Sequence, residues 1–146
     1  MEQVIDIRKY AEEHKIKRTT FITVQFQVEG IHCYPEAGTN PELEDVSFLQ
    51  YPHRHIFHFT VSAEVNHNNR DIEFIQLKRC CLELFDQNFI NANNHSCEDL
   101  CDMLFVQLDQ RYPNRKWVIK CFEDGENGAE SVYKNLSKKT TDALAS

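Results

Sequence analysis

Tyr51-Pro52-His53-Arg54-His55-Ile56-Phe57-His58-Phe59-Thr60-Val61 is the stretch whose reading decides the fold. Its aromatic and β-branched residues predict a strand, extended by Ile56 to Val65. On a strand, side chains at i and i+2 share a face, so His53 and His55 converge on one point while His58 falls on the other side. A second strand precedes it: Thr19 to Val28 alternates apolar and polar residues over most of its length. Val28-Glu29-Gly30-Ile31-His32 closes that run, and an antiparallel return brings His32 beside His53. Three neutral imidazoles with a fourth position open make the donor set of a catalytic zinc site.

Working outward, residues Val4 to Lys15 read as a short helix or an irregular arm, and Lys15, Lys17 and Arg18 as a solvated face. His32 to Pro52 carries Pro35, Gly38, Pro41 and Pro52 and reads as a long loop, a kind of segment often used for function. Asn66 to Asp71 is a polar turn, with His67 exposed on it. A helix is expected within Ile72 to Asn91, burying Ile75, Leu77, Cys80, Leu82, Leu84 and Phe85. Ser96, with Asp99 three residues on, can cap a second helix that ends before Pro113. Lys116 to Glu123 reads as a strand, Asp124 to Gly128 as a hairpin turn, and Glu130 to Tyr133 as a last strand. The order is two strands, two helices and two strands in a single α+β unit over 19–133, with an N-terminal arm at 1–18 and a polar tail at 134–146.

Composition sets outer limits. With 41% hydrophobic and 27% charged residues, the chain has the balance of an ordinary soluble domain. A net charge of -7 argues against nucleic-acid binding through a broad basic face. No apolar run is long enough to span a bilayer, and the amino terminus lacks the basic and apolar regions of a signal peptide, so a cytoplasmic protein is expected. The six cysteines show neither CxxC nor zinc-ribbon spacing and read as reduced, mostly buried thiols. Cys33 stands apart because it follows a proposed ligand directly.

These elements resemble the 6-pyruvoyl-tetrahydropterin synthase and 6-carboxy-tetrahydropterin synthase family. His53-Arg54-His55-Ile56-Phe57 stands where that family has His-Gly-His-Asn-Tyr, and Ile72-Glu73-Phe74-Ile75-Gln76-Leu77-Lys78 is similar to its Ile-Asp-Phe-x-x-Leu-Lys. Asp86-Gln87-Asn88-Phe89-Ile90-Asn91 resembles Asp-His-x-Tyr-Leu-Asn. Ser96-Cys97-Glu98-Asp99-Leu100 resembles Thr-Ser-Glu-Asn-Leu, and Ile119-Lys120-Cys121-Phe122-Glu123 resembles Val-x-Val-x-Glu. The resemblance implies a T-fold: an antiparallel sheet with two helices on one face, joined between subunits into a barrel, commonly a hexamer of two stacked trimers. It implies His32, His53 and His55 as zinc ligands and Glu123 as the anchor for the guanidine-like edge of a pterin or purine ring, a charge-assisted bidentate pair. Arg54, in the place of the family's glycine, points away from the metal and is available to a phosphate or a neighbouring subunit.

The departures bear on chemistry. Leu49 occupies the position of the family's catalytic cysteine, and Gln87 that of its catalytic histidine, while Asp86 remains. Glutamine cannot relay a proton as imidazole does. Two functional readings follow. One is a zinc-dependent lyase of the tetrahydropterin synthase type acting on a dihydropterin triphosphate-like compound, with the proton passing to Cys33, His58 or Asp86. The other is a non-catalytic T-fold protein that binds or sequesters a guanine-like base or nucleotide. Glu98, in the first turn of a helix, reads as structural.

Overall fold

The computed structural model describes residues 4–134, so most of the polar tail at 134–146 lies outside the described residues. A short helix α1 (Ile7–Glu13) leads into strand β1 (Thr20–His32). Strand β2 (His53–Val65), helix α2 (Phe74–Glu83), strand β3 (Phe89–Asn93), helix α3 (Cys97–Arg111), and strands β4 (Trp117–Glu123) and β5 (Asn127–Tyr133) follow. The sheet order is β3-β1-β2-β4-β5. β3 runs parallel to β1 and every other pair is antiparallel, giving a mixed sheet in an α+β fold. Among the described residues no helix is long and apolar enough to cross a membrane.

Two expectations are corrected. The segment expected to be helical as far as Asn91 ends its helix at Glu83. Phe85 is already extended (φ −116°, ψ 105°), and left-handed Gln87 and Asn88 (φ 54° and 55°) then turn the chain into β3. The sheet therefore has a fifth strand and is not purely antiparallel. The expected loop from His32 to Pro52 contains two 3-10 segments, Pro35–Gly38 and Pro41–Gln50. Tyr34 N–H donates to the Leu49 carbonyl at 2.7 Å, folding this segment back on itself beside the end of the sheet.

Ile75, expected on the buried face of α2, is exposed, and Leu77 and Cys81 are that helix's buried residues; the capping signals act as the sequence suggests. Glu73 caps α2 by accepting the N–H groups of Ile75 and Gln76, so the carboxylate of the Ile-Glu-Phe segment has a structural task. Ser96 and Asp99 form a reciprocal capping box at the start of α3. α2 packs on β1, and α3 on β4 and β5. Both contribute to one core, Leu77 and Cys81 from α2 and Leu100, Cys101, Leu104 and Leu108 from α3.

The sheet supplies the rest of that core, and its alternation places the site. Val24, Phe26 and Val28 of β1, Phe57, Phe59 and Val61 of β2, and Trp117, Ile119 and Cys121 of β4 are all buried. With the side-chain period of 2, the same face continues to Gly30 and His32, to His55 and His53, and to Glu123. Register aligns them: Phe57 pairs with both Val28 and Glu123, Gly30 with His55, and His32 with His53. The polar cluster is thus the last rung of the hydrophobic face. Phe57, fully buried beneath it, contributes about 2–3 kcal/mol by burial and supplies its apolar floor.

Candidate metal centre

His32, His53 and His55 form a nearly equilateral triangle. Ring centroids lie 4.6 Å apart for His32–His53, 5.1 Å for His32–His55 and 4.9 Å for His53–His55, with the rings edge to face. One ligand nitrogen from each lies within 4.8 Å of the other two. The geometry is that of three donors able to close on one metal ion.

The second nitrogen of each ring is tied. His32 Nδ1 is 3.3 Å from the His95 carbonyl, His53 Nδ1 is 2.8 Å from the Tyr51 carbonyl, and His55 Nδ1 is 2.7 Å from Asp124 Oδ2. Carbonyls and carboxylates only accept, so with the proton on each Nδ1 the rings would present their Nε2 lone pairs to a metal. Metal-bound histidines are supported in this way, by a carboxylate or carbonyl on the far nitrogen. Burial also holds the His32 imidazole below its usual pKa, which favours the neutral form a metal requires.

The Nε2 atoms of His32 and His55 are buried and have no hydrogen-bond partner. Glu123 lies against both, with Oε1 3.0 Å from His32 Nε2 and Oε2 3.4 Å from His55 Nε2. Lone pairs facing a carboxylate at these distances repel, and a cation between them reverses the sign of the interaction. Two orphaned nitrogens converging with an anionic oxygen therefore fit a bound divalent metal.

The cluster opens on a cavity of about 470 Å³. His32, His53 and Glu123 line one side and Cys33, Leu49 and His95 are also in its wall. Cys97, buried at the start of α3, directs its thiol to Glu123 Oε1 at 3.9 Å. Glu98 also lines the cavity, at the first turn of α3 where the helix dipole favours its charge.

The structure brings together His32, His53, His55, Glu123 and Cys33 of the residues singled out in the sequence. It places Arg54 elsewhere: on the opposite sheet face, 62% exposed, with its Nε 2.6 Å from Glu29 Oε1. Asp86 is exposed in the turn between α2 and β3 and is not among the cavity-lining residues. His58 lies on the outer face beside Gln27 and Glu29. His67 is exposed and 3.8 Å from Asp71. Sequence reasoning did not single out Asp124, Tyr51 or His95 as site residues. Of these, Asp124 had a readable signal, since it directly follows a candidate site residue in a tight turn.

No family model matches the chain, and no curated protein matches it. The class of protein defined by fold and site is an α+β protein with a mixed five-stranded sheet. It carries, at one end of its core face, three histidines placed to bind a metal ion.

Proposed function

We propose that this is a zinc-binding protein of the 6-pyruvoyl/6-carboxy-tetrahydropterin synthase type, acting on a dihydropterin triphosphate-like compound. The observation that carries the reading is the converging set of tied imidazoles, each with a free Nε2, beside Glu123 at the wall of a ligand-sized cavity. Zinc bound there would act as a Lewis acid on a substrate oxygen. Glu123 would accept two N–H groups from the amino-pyrimidinone edge of the ring, and Leu49 and Tyr34, which line the cavity, would provide apolar wall against the ring.

A T-fold assembly belongs to the same proposal. Among the described residues β3 and β5 are the outer strands of the sheet, and pairing of such edges between subunits would close a barrel. Two stacked trimers would complete a hexamer. A cytoplasmic location is part of the expectation that goes with it.

A second reading has its own support. Leu49 is an apolar wall of the cavity where the family's reactive thiol is expected, and Gln87 lacks a proton-transfer group. A pocket with metal and ring anchor but without these two groups suits a non-catalytic binder of a guanine-like base or nucleotide.

The deciding experiment measures metal content of the purified protein and of His53→Ala, then turnover of dihydroneopterin triphosphate. About one zinc per chain, lost in the variant and accompanied by turnover, is the expected result. Zinc without turnover, together with guanine binding that depends on Glu123, would select the binder. Protein that takes up no zinc overturns the proposal.

A further inference from the structure

Glu123 ends β4 on the sheet face of the triad and meets two of its three rings. Its register partner on β2 is Phe57, and His55 lies two residues before Phe57, so alternation sends both side chains to one side. Glu123 Oε1 stands 3.0 Å from His32 Nε2, and Oε2 stands 3.4 Å from His55 Nε2. Neither contact has the alignment of a hydrogen bond, for both nitrogens are buried without a partner. The carboxylate sits beside the axes along which the two rings would donate, not on them.

Donors that share one metal ion stand in this relation. Zinc holds imidazole nitrogen and carboxylate oxygen about 2.0–2.2 Å away in a tetrahedron, which places neighbouring donor atoms about 3.4 Å apart and off one another's axes. The contact with His55 matches that edge, and the contact with His32 is slightly shorter. The Glu123 oxygens are thus divided between two imidazoles, one facing each. The Cys97 thiol approaches Oε1 at 3.9 Å from the start of α3 and backs the carboxylate in this position.

We propose that Glu123 is the fourth donor of the metal centre, so that the protein without ligand has a closed site of three histidines and one carboxylate. The proposal rests on the zinc reading above and changes one part of it: the chain itself fills the fourth position. Glu123 keeps 29% of its side chain exposed and lines the cavity, so an incoming ligand reaches it directly. The same carboxylate is the anchor for the ring. A closed metal site and a seated ring therefore exclude one another, and the ligand opens the metal by drawing Glu123 away from it.

The test titrates free imidazole into cobalt(II)-saturated wild type, Glu123→Gln and Glu123→Ala. Zinc has a filled d shell and is silent, whereas the visible absorption of cobalt(II) reports its donors. Imidazole is neutral, so removing the Glu123 charge does not by itself attract it. Glutamine keeps the shape of the side chain, which separates loss of the donor from added room. Groups that merely support a ligand are worth about 10–100-fold in metal affinity, and a donor weighs at least as much. Imidazole should therefore bind both variants at least about 10-fold more tightly than wild type. The absorption of Glu123→Gln should differ from that of wild type before any imidazole is added.

Imidazole affinity equal to that of wild type in both variants overturns the proposal alone, since the metal is then bound with its fourth position already open. Wild type that takes up neither cobalt nor zinc sinks the zinc reading, and this proposal with it.

Discussion

His55 Nδ1 and Asp124 Oδ2 lie 2.7 Å apart, which makes the turn after β4 a brace for the histidine near the head of β2. Asp124 is clamped twice more, its Oδ1 accepting the Ile56 N–H at 2.9 Å and its own N–H donating to the Ile56 carbonyl at 2.8 Å. The first of these bonds and the His55 contact hold its carboxyl below the usual range. Asp124→Asn keeps an oxygen for Ile56 but removes the charge that supports the His55 ring. Zinc affinity, measured by competition with a chelator, should fall about 10–100-fold with little change in thermal stability. Unchanged affinity would show that His55 does not use this brace.

The triad was legible in the sequence because two rules sufficed. His53 and His55 share a face by alternation, and His32 meets His53 because the pairing is antiparallel, as their register shows. The braces on the far nitrogens were not. His95 and Asp124 reach the site from turns 63 and 69 residues away from the histidines they support, and no periodicity encodes that approach. β3 was missed for a local reason. Phe89-Ile90-Asn91-Ala92-Asn93 is short and follows a helix, and the turn into it rests on left-handed Gln87 and Asn88. Glutamine gives little sign of such a conformation, which asparagine adopts more readily.

Gly30 ties that missed strand to the metal site. A Cβ at Gly30 would lie 2.8 Å from the Ile90 carbonyl of β3 and 2.8 Å from the Phe57 ring, in the strand position paired with His55. Either β3 or the aromatic floor must move to admit it. Gly30→Ala should cost about 1–3 kcal/mol in urea denaturation and weaken zinc binding as well. Wild-type stability in this variant would mean that β3 yields without resistance.

The thiols divide by burial. Cys33 and Cys80 are half-buried, while Cys81, Cys97, Cys101 and Cys121 are buried. Burial pushes Cys81 and Cys101 each up to about 12, and raises Cys80 as well. Reaction with iodoacetamide requires a thiolate that solvent can reach. Under native conditions Cys33 should label first, Cys80 more slowly, and the other four only after unfolding. Because Cys33 lines the metal-site cavity, a ligand seated there should slow its labelling, read by peptide mass spectrometry. Early labelling of Cys101 would show that α3 opens from the sheet.

At the other end of the sheet, Asp71 fastens the turn after β2. It accepts the Asn66 N–H at 2.8 Å and lies 3.4 Å from Arg115 Nη1, which itself donates to the Glu64 carbonyl at 2.9 Å. The Asn66 bond chiefly, with Arg115 adding to it, holds the Asp71 carboxyl below its usual pKa. A carboxyl depressed in the folded state binds its proton more weakly there than in the unfolded chain. Its contribution is therefore complete above the unfolded value of about 3.9 and is lost as pH falls through the lower folded value. Asp71→Ala should lose on the order of 1 kcal/mol at pH 7, and the gap from wild type should narrow as pH drops below about 4. Urea denaturation at both pH values gives the comparison. A gap that stays constant would assign the loss to the shape of the turn rather than to the charge of Asp71.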